Sequence, residues 1–433
     1  MSLRIIWAGP WNERSCIAAF GLQMVAELAA RGHLVEVVRT ELEPDASLTA
    51  RPSAVPTRWW RDVSIHELRR DVDAVIVNFS DSYSGCGAML DNFADAGVVG
   101  IFHDRILARL ADSWANDTSP DPYARLRRMV DVTYGSDAWR KGPFLASADA
   151  VMHERPMLEW FAAGVCGAIT ADAWAAERAR LVCAGPVQAL TAAAHFAELE
   201  PKPPSAAGEF VIAMLGADED TRHIDAVVQA IGESDRLRRT CRLKFVGYVE
   251  GSVRSRVLRS AARLRMLAPS LGAWASTEEL PALLSDVDAV ICTTGFSLEH
   301  PSPWAVLALS SARPAIVFVD PAHWGIPQDC VLASTPANSA ADVRTHLEWI
   351  LDNPRAAYAM SERARAFAMR TYTPARYVDM LLPLVEAAVA NRPVMMTGQA
   401  LGRTLASFGV EPDDPAVRRI GGVLSGMLGS PDR

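Results

Sequence analysis

Apolar residues come in short bursts along this chain, each followed by a stretch in which they recur every three or four positions. Leu3 to Ala8 is the first burst, broken by Gly9-Pro10, and it reads as a buried strand. Ser15 then caps a helix on which Ile17, Phe20, Met24, Val25 and Leu28 share a face, and Gly32 closes it before a second strand, Leu34 to Val38. A strand, a crossover helix and a strand form a βαβ unit, which predicts a parallel sheet with helices on its faces. The alternation resumes with strands at Ala74 to Phe79 and Val98 to Phe102 and a helix between them from Ala88 to Ala96. From Arg105 to Leu199 the chain is alanine-rich and mostly helical in character, with short strands expected at Val130 to Tyr134 and Ala150 to Met152.

The composition then changes. Glu200-Pro201-Lys202-Pro203-Pro204-Ser205 is a stiff, punctuated segment of the kind that joins domains. A second series follows, with strands at Phe210 to Leu215, Leu243 to Tyr248, Ala289 to Thr293 and Ala315 to Val319. Its helices are expected at Arg222 to Ile231, Val253 to Leu264, Glu278 to Leu284, Trp304 to Ser310 and, as a longer pair, between Ala340 and Met369. This predicts an α/β chain of two Rossmann-like domains, residues 1–200 and 206–372, and a helical tail at 373–433 that packs back on the first domain.

Composition narrows the function classes. With 433 residues, half of them hydrophobic, the chain is long enough for two cores. A net charge of -8 argues against a nucleic-acid partner, which would need a surplus of Lys and Arg on one face. The densest basic cluster is Arg125, Arg127 and Arg128, either a solvated helix face or a foothold for an anionic surface or acceptor. Seven scattered cysteines without a CxxC pair indicate neither a disulfide framework nor a zinc site, which fits a reducing cytoplasm. The segment MSLRIIWAGP lacks signal-peptide architecture and there is no 18-residue apolar span, so any membrane contact would be peripheral, at the inner face.

Ligands of open α/β sheets bind beyond the carboxyl ends of the strands, so the residues just after each strand are the candidates. After the first strand come Gly9 and Asn12, in a loop that leads into a helix whose N-terminal amides suit a phosphate or a sugar hydroxyl. This loop has no GxGxxG, so a nicotinamide or flavin dinucleotide gains no support. His103 and Asp104 leave the strand ending at Phe102, where an imidazole can exchange hydrogen bonds with a substrate hydroxyl or simply be structural. In the second series Gly216 follows a strand and Arg222 opens the next helix, placed to clamp a diphosphate. The run from Thr294 through Glu299, Ser302 and Trp304 joins another strand to a helix; Glu299 is suited to sugar hydroxyls and the helix N-terminus to a phosphate.

Taken in order, these residues resemble the retaining GT-B glycosyltransferases of family four, the group 1 glycosyltransferases. The likeness is strongest from Gly272 to Pro314, where Leu280, Asp288-Ala289, Glu299 and Pro314 keep the family spacing, and it fades beyond Ala388. That family's second domain carries a Glu, seven residues and a second Glu; Glu299 matches the first and Leu307 stands in place of the second. The family neutralises the donor diphosphate with an Arg and a Lys, where this chain has Ala217 and Arg222. His103 matches a histidine that many members hold near the reacting sugar.

The resemblance implies two Rossmann-like domains facing across a cleft, and a metal-independent, cofactor-free hexosyltransferase. It would move sugar from a nucleoside-diphosphate-sugar donor to a saccharide or glycolipid acceptor with retention, in bacterial polysaccharide or glycolipid assembly. It implies His103 and Glu299 as the catalytic pair, and Gly9, Asn12, Gly216, Arg222, Thr294, Ser302 and Trp304 as donor contacts. Ala217 and Leu307 keep a second reading open, a non-catalytic partner or scaffold of an active transferase.

Overall fold

The computed structural model describes residues 2–12, 15–42, 50, 52–91, 93–136, 138, 154–190, 199, 201–202, 208–216, 222–247, 249–272, 279–293, 303–318, 325–335, 339–410 and 414–428. The chain divides into two units, one of Met1–Leu190 with Val378–Arg433 and the other of Thr191–Tyr377.

The first unit is built on a seven-stranded sheet, all of whose pairs are parallel. Its strands are β1 (Arg4–Gly9), β2 (Leu34–Arg39), β3 (Thr57–Trp59), β4 (Ala74–Phe79), β5 (Val99–Phe102), β6 (Gly167–Thr170) and β7 (Val187–Ala189), in the order β3-β2-β1-β4-β5-β6-β7. This is the Rossmann order with one strand added, and it reverses direction between β1 and β4. The first crossover helix, Cys16–Ala30, begins and ends as its sequence predicts. Ser15 accepts a hydrogen bond from the Ala18 amide at 3.1 Å. At the far end Gly32 N donates to Ala29 O at 2.9 Å and His33 N to Leu28 O at 3.2 Å, the two bonds of a Schellman motif.

Two expectations for this unit are corrected. The segment Val130 to Tyr134 is the last part of a helix, Pro122–Tyr134, because Asp121 caps it, Pro122 suits a first helical position, and Leu126, Met129 and Val130 bury one face. The helix expected from Ala88 to Ala96 is two short pieces, Gly87–Met89 and Phe93–Ala96. The expected strand Ala150 to Met152 lies outside the described residues. In the same alanine-rich region β6, Gly167-Ala168-Ile169-Thr170, reads too small for a strand; Gly167 admits the C-terminal helix, since a Cβ there would lie 2.8 Å from Ala388 Cβ.

The second unit repeats the plan with β8 (Phe210–Leu215), β9 (Cys241–Val246), β10 (Ser270–Leu271), β11 (Ala289–Cys292), β12 (Ala315–Val317) and β13 (Leu332–Ala333), ordered β10-β9-β8-β11-β12-β13 and parallel throughout. Side chains alternate across the sheet. Phe210, Ile212 and Met214 join Ile291 and Ile316 in one cluster, whereas Ala213 and Leu215 join Val290, Cys292 and Val317 in the other. Both faces are therefore dry, which is why these strands read as continuous apolar runs rather than as alternating ones.

The helix Pro374–Ser407 belongs to the first unit from Val378 onward. Val378, Leu381, Leu384, Val385 and Ala388 form its buried stripe, while Pro383 and Pro393 lie on the exposed face, where the carbonyls they leave unbonded can reach water. Around this stripe Arg31 pairs with Asp379 at 2.6 Å, Asn391 donates to Ala184 O at 3.0 Å, and Arg403 pairs with Asp95.

Burial of this stripe predicts that the tail is part of the first unit's cooperative core. Val385→Asp places an unpaired carboxylate among apolar side chains and is expected to lower the unfolding free energy by about 3 kcal/mol or more in urea titrations. An unchanged midpoint would mean that the tail contributes nothing to that core.

Candidate functional site

In the first unit the strand order reverses between β1 and β4, and the polar groups gather at that point. Strand β4 reads Ala-Val-Ile-Val-Asn-Phe and is buried along its whole length, so Asn78 is an amide set into an apolar strand. Such a group must find partners inside the protein. Its Nδ2 donates to Ala8 O of β1 at 3.0 Å, and its Oδ1 lies 2.9 Å from His103 Nε2, just beyond β5. Asn78 thus ties three strands together across the switch point. Gly9 makes room for it, because a Cβ at that position would sit 3.2 Å from Asn78 Cβ and Nδ2.

His103 is held from two further directions. Its backbone amide donates to Phe79 O at 2.9 Å, and its ring packs edge-on against Phe20 of the Cys16–Ala30 helix, centroids 5.2 Å apart. Phe20 in turn packs on Trp7 of β1. The residue is only half-buried. Gly9 and His103, each a candidate by its own place after a strand, are thereby neighbours through a residue that the sequence did not single out. The available signal was one amide inside an otherwise apolar strand.

The loop after β1 is organised by Glu41, a second group missed from sequence. Its carboxylate is nearly buried and accepts from the Trp11 amide at 2.7 Å and from Asn12 Nδ2 at 3.4 Å. Arg39 lies 3.5 Å from its other oxygen. Asn12 also forms an isolated bridge with Ala50. Asn12 therefore belongs to the same end of the sheet, and Glu41 orients it.

Two carboxylates border this end. Asp81 follows β4 and accepts from the Leu110 amide at 2.8 Å, in the first turn of the helix Ala108–Thr118. The Asp81 amide donates to Asp104 Oδ2 at 2.8 Å. Arg125, from the basic cluster, is engaged by its own unit: it stacks on Trp114 at 4.2 Å and donates to Thr118 Oγ1 at 2.7 Å, leaving Arg127 and Arg128 as the exposed members.

The second unit repeats the switch point between β8 and β11. Thr293, fully buried just after β11, donates from its hydroxyl to Leu215 O at 3.0 Å. Gly216 follows β8 with φ +76, a backbone that L side chains adopt only with strain. Arg222 is the first residue of the helix Arg222–Gly232, and nothing of its side chain lies among the described residues. Thr294, Glu299 and Ser302 lie outside the described residues. Trp304, in the first turn of the helix Pro303–Ser310, is half-buried and packs against the apolar cluster around Leu307. Leu307 itself is wholly buried, so that position offers no polar group to a ligand. Next to Arg222, His223 is nearly buried and stacks on Phe318 at 4.2 Å. Among the described residues there is no cluster of three or more His, Cys, Asp or Glu that could hold a metal ion, and no helix long and apolar enough to cross a membrane.

Burial pushes the Asp81 carboxyl up to about 6, its amide partner at Leu110 opposes the rise, and the Asp104 carboxylate adds to it. A carboxyl whose folded value lies above its unfolded value binds its proton more tightly in the native state, so ionisation weakens the fold as pH rises from about 4 to about 6 and remains unfavourable above that. Asp81→Asn keeps an acceptor for Leu110 and removes the charge. It is expected to raise the melting temperature at about pH 8 while leaving it unchanged near pH 4. Equal effects at both values would show that the Asp81 charge is solvated.

No family model and no curated protein matches the chain by sequence. Solved structures do match its fold. Sucrose-phosphate synthase from Thermosynechococcus elongatus is 15% identical, with 89% of this chain and 100% of that one covered at a TM-score of 0.56. HepE of Anabaena, solved with UDP and glucose, is 11% identical, with 89% and 100% covered at 0.56. WaaG, a glycosyltransferase involved in lipopolysaccharide biosynthesis, is 14% identical, with 87% and 99% covered at 0.52. At these identities the likeness is one of fold, and the fold it shows is the α/β architecture of the GT-B type, with two Rossmann-like parallel sheets.

Proposed function

We propose that this chain is a glycosyltransferase that moves a sugar from a nucleoside-diphosphate-sugar donor to an acceptor hydroxyl. The observation that carries the reading is His103 held at the carboxyl end of the first sheet by Asn78, beside the Gly9 switch point. A half-buried imidazole with a fixed ring edge can donate to or accept from a hydroxyl near neutral pH, as sugar transfer requires. The GT-B fold, and the nucleotide carried by the fold neighbour HepE, support a nucleotide-sugar donor.

In this reading the first unit serves the acceptor and the reacting sugar through Gly9, Asn12 and His103. The second holds the donor: Arg222 and the N-terminus of the helix Pro303–Ser310 face the diphosphate, Glu299 takes the transferred sugar, and Gly216, Thr294, Ser302 and Trp304 complete the donor contacts. Helix amides and a guanidinium can carry the leaving charge, so the reading calls for neither a metal nor a cofactor. Retention, through front-face substitution in which the departing diphosphate helps to take the acceptor proton, follows from the family-four resemblance of the Glu299 to Pro314 stretch. The same resemblance favours a saccharide or glycolipid acceptor and cytoplasmic polysaccharide or glycolipid assembly, with peripheral membrane contact through Arg127 and Arg128.

The burial of Leu307, where the family has a ribose-binding Glu, favours a second reading: a non-catalytic partner of an active transferase. Product formation in a screen of nucleotide sugars separates the two, since a partner protein would form none.

Two variants test the residue roles. Glu299→Gln is expected to lower turnover far more than it weakens binding of the bare nucleoside diphosphate, measured by steady-state kinetics and calorimetry; equal losses would move Glu299 to the ribose. Arg222→Ala is expected to weaken nucleoside-diphosphate binding by roughly ten- to a hundredfold, about 1.5–3 kcal/mol for a charge-assisted contact, with partial recovery in Arg222→Lys. Unchanged affinity would remove Arg222 from the phosphate site.

A further inference from the structure

We infer that Asn78 is a positioning residue that sets the tautomer of His103, so that Nδ1 is the basic atom of the ring. The inference deepens the sugar-transfer reading and names which atom of the imidazole serves it. Three groups in series fix the proton, each with a single role. The Ala8 carbonyl can only accept, so the atom of Asn78 that lies 3.0 Å from it must be the amide nitrogen. Asn78 Oδ1 is therefore the atom 2.9 Å from His103 Nε2, and it too can only accept. A neutral imidazole carries one proton, and here it sits on Nε2 and is donated to Asn78. The lone pair falls on Nδ1, and any proton that the ring takes up enters there.

The amide cannot turn over to offer the opposite pattern. Asn78 is fully buried in a parallel strand paired on both sides, and flipping it would set its oxygen against the Ala8 carbonyl, which can only accept. The bond to Ala8 would be lost in a dry interior whichever tautomer the ring then took, and unmet polar groups there are costly. Gly9 protects the arrangement from the other side, because a Cβ there would press on Asn78 Cβ and Nδ2 at 3.2 Å. The edge-on contact with Phe20 and the bond from the His103 amide to Phe79 O hold the ring and its backbone in the same pose. A histidine that must present one chosen nitrogen to a substrate needs such a partner behind it.

The test reads the ring directly. The full chain, labelled with 15N at its histidines, gives long-range proton–nitrogen spectra in which His103 is identified by its absence from His103→Gln. With no substrate present, neutral His103 is expected in the Nε2–H form. Asn78→Leu removes the acceptor while keeping the branched shape and is expected to shift the ring toward the Nδ1–H form or a mixture, with helix content by circular dichroism unchanged. Asn78→Asp keeps an acceptor for Nε2–H while losing the donor to Ala8 O, and is expected to keep the Nε2–H form even if it is less stable. Nδ1–H in the wild-type protein, or an undisturbed Nε2–H signature in Asn78→Leu, would overturn the inference. Should Asn78→Leu fail to fold, the wild-type and Asn78→Asp spectra decide it. Under turnover Asn78→Leu is expected to lower kcat by about a hundredfold with little change in donor KM, the size of a lost general acid–base contribution. A correct tautomer in a protein that transfers no sugar would overturn the function proposed above and leave the Asn78 assignment standing.

Discussion

A parallel sheet covered by helices on both faces meets water only at its strand ends and its two edges, and both sheets of this protein are of that kind. Every strand position in the middle of β1, β4, β8 and β11 must be apolar or must have its polar atoms satisfied by a neighbouring strand. Chemistry is thereby confined to the carboxyl ends, and most strongly to the point where the strand order reverses and two neighbouring connections leave in opposite directions. At each switch point one buried polar side chain spans the gap between the strands that diverge there. Asn78 does so in the first sheet and Thr293 in the second, each donating to a carbonyl of the central strand.

The two bridges differ in what they leave over. Thr293 commits its hydroxyl proton to Leu215 O beside a main-chain bond between the same two residues, which closes the end of the strand pair. Asn78 has an oxygen to spare after reaching Ala8, and that oxygen couples the sheet to His103. One residue thus turns a structural seam into the support of a candidate functional group. Glu41 has a comparable role in the neighbouring loop, where a nearly buried carboxylate draws in the Trp11 amide and Asn12.

The C-terminal helix shows a different dependence. Its buried stripe, from Val378 to Ala388, packs where β6 carries Gly167, and the absence of a side chain at that position is what admits the helix. A chain that leaves the first unit at Leu190 rejoins it only at Val378, so this unit is complete only when both stretches are present.

The class of the fold and much of its detail follow from the order of the amino acids alone. The apolar bursts at β1, β2, β4, β5, β8, β9, β11 and β12 were legible because a strand buried on both faces must be apolar throughout. The capping Ser15 and terminal Gly32 were legible because they act within one turn of their own helix. The strands β3, β6, β7, β10 and β13 were not, since they are short and, at β6, small for the sake of a helix that lies far along the chain. Val130 to Tyr134 read as a strand because a short apolar run does not state its period until the capped helix around it is recognised. At the site, Gly9 and His103 could be picked out one at a time by their place after a strand. Their association could not, because it passes through Asn78, and only the parallel register of β1, β4 and β5 brings those three segments side by side.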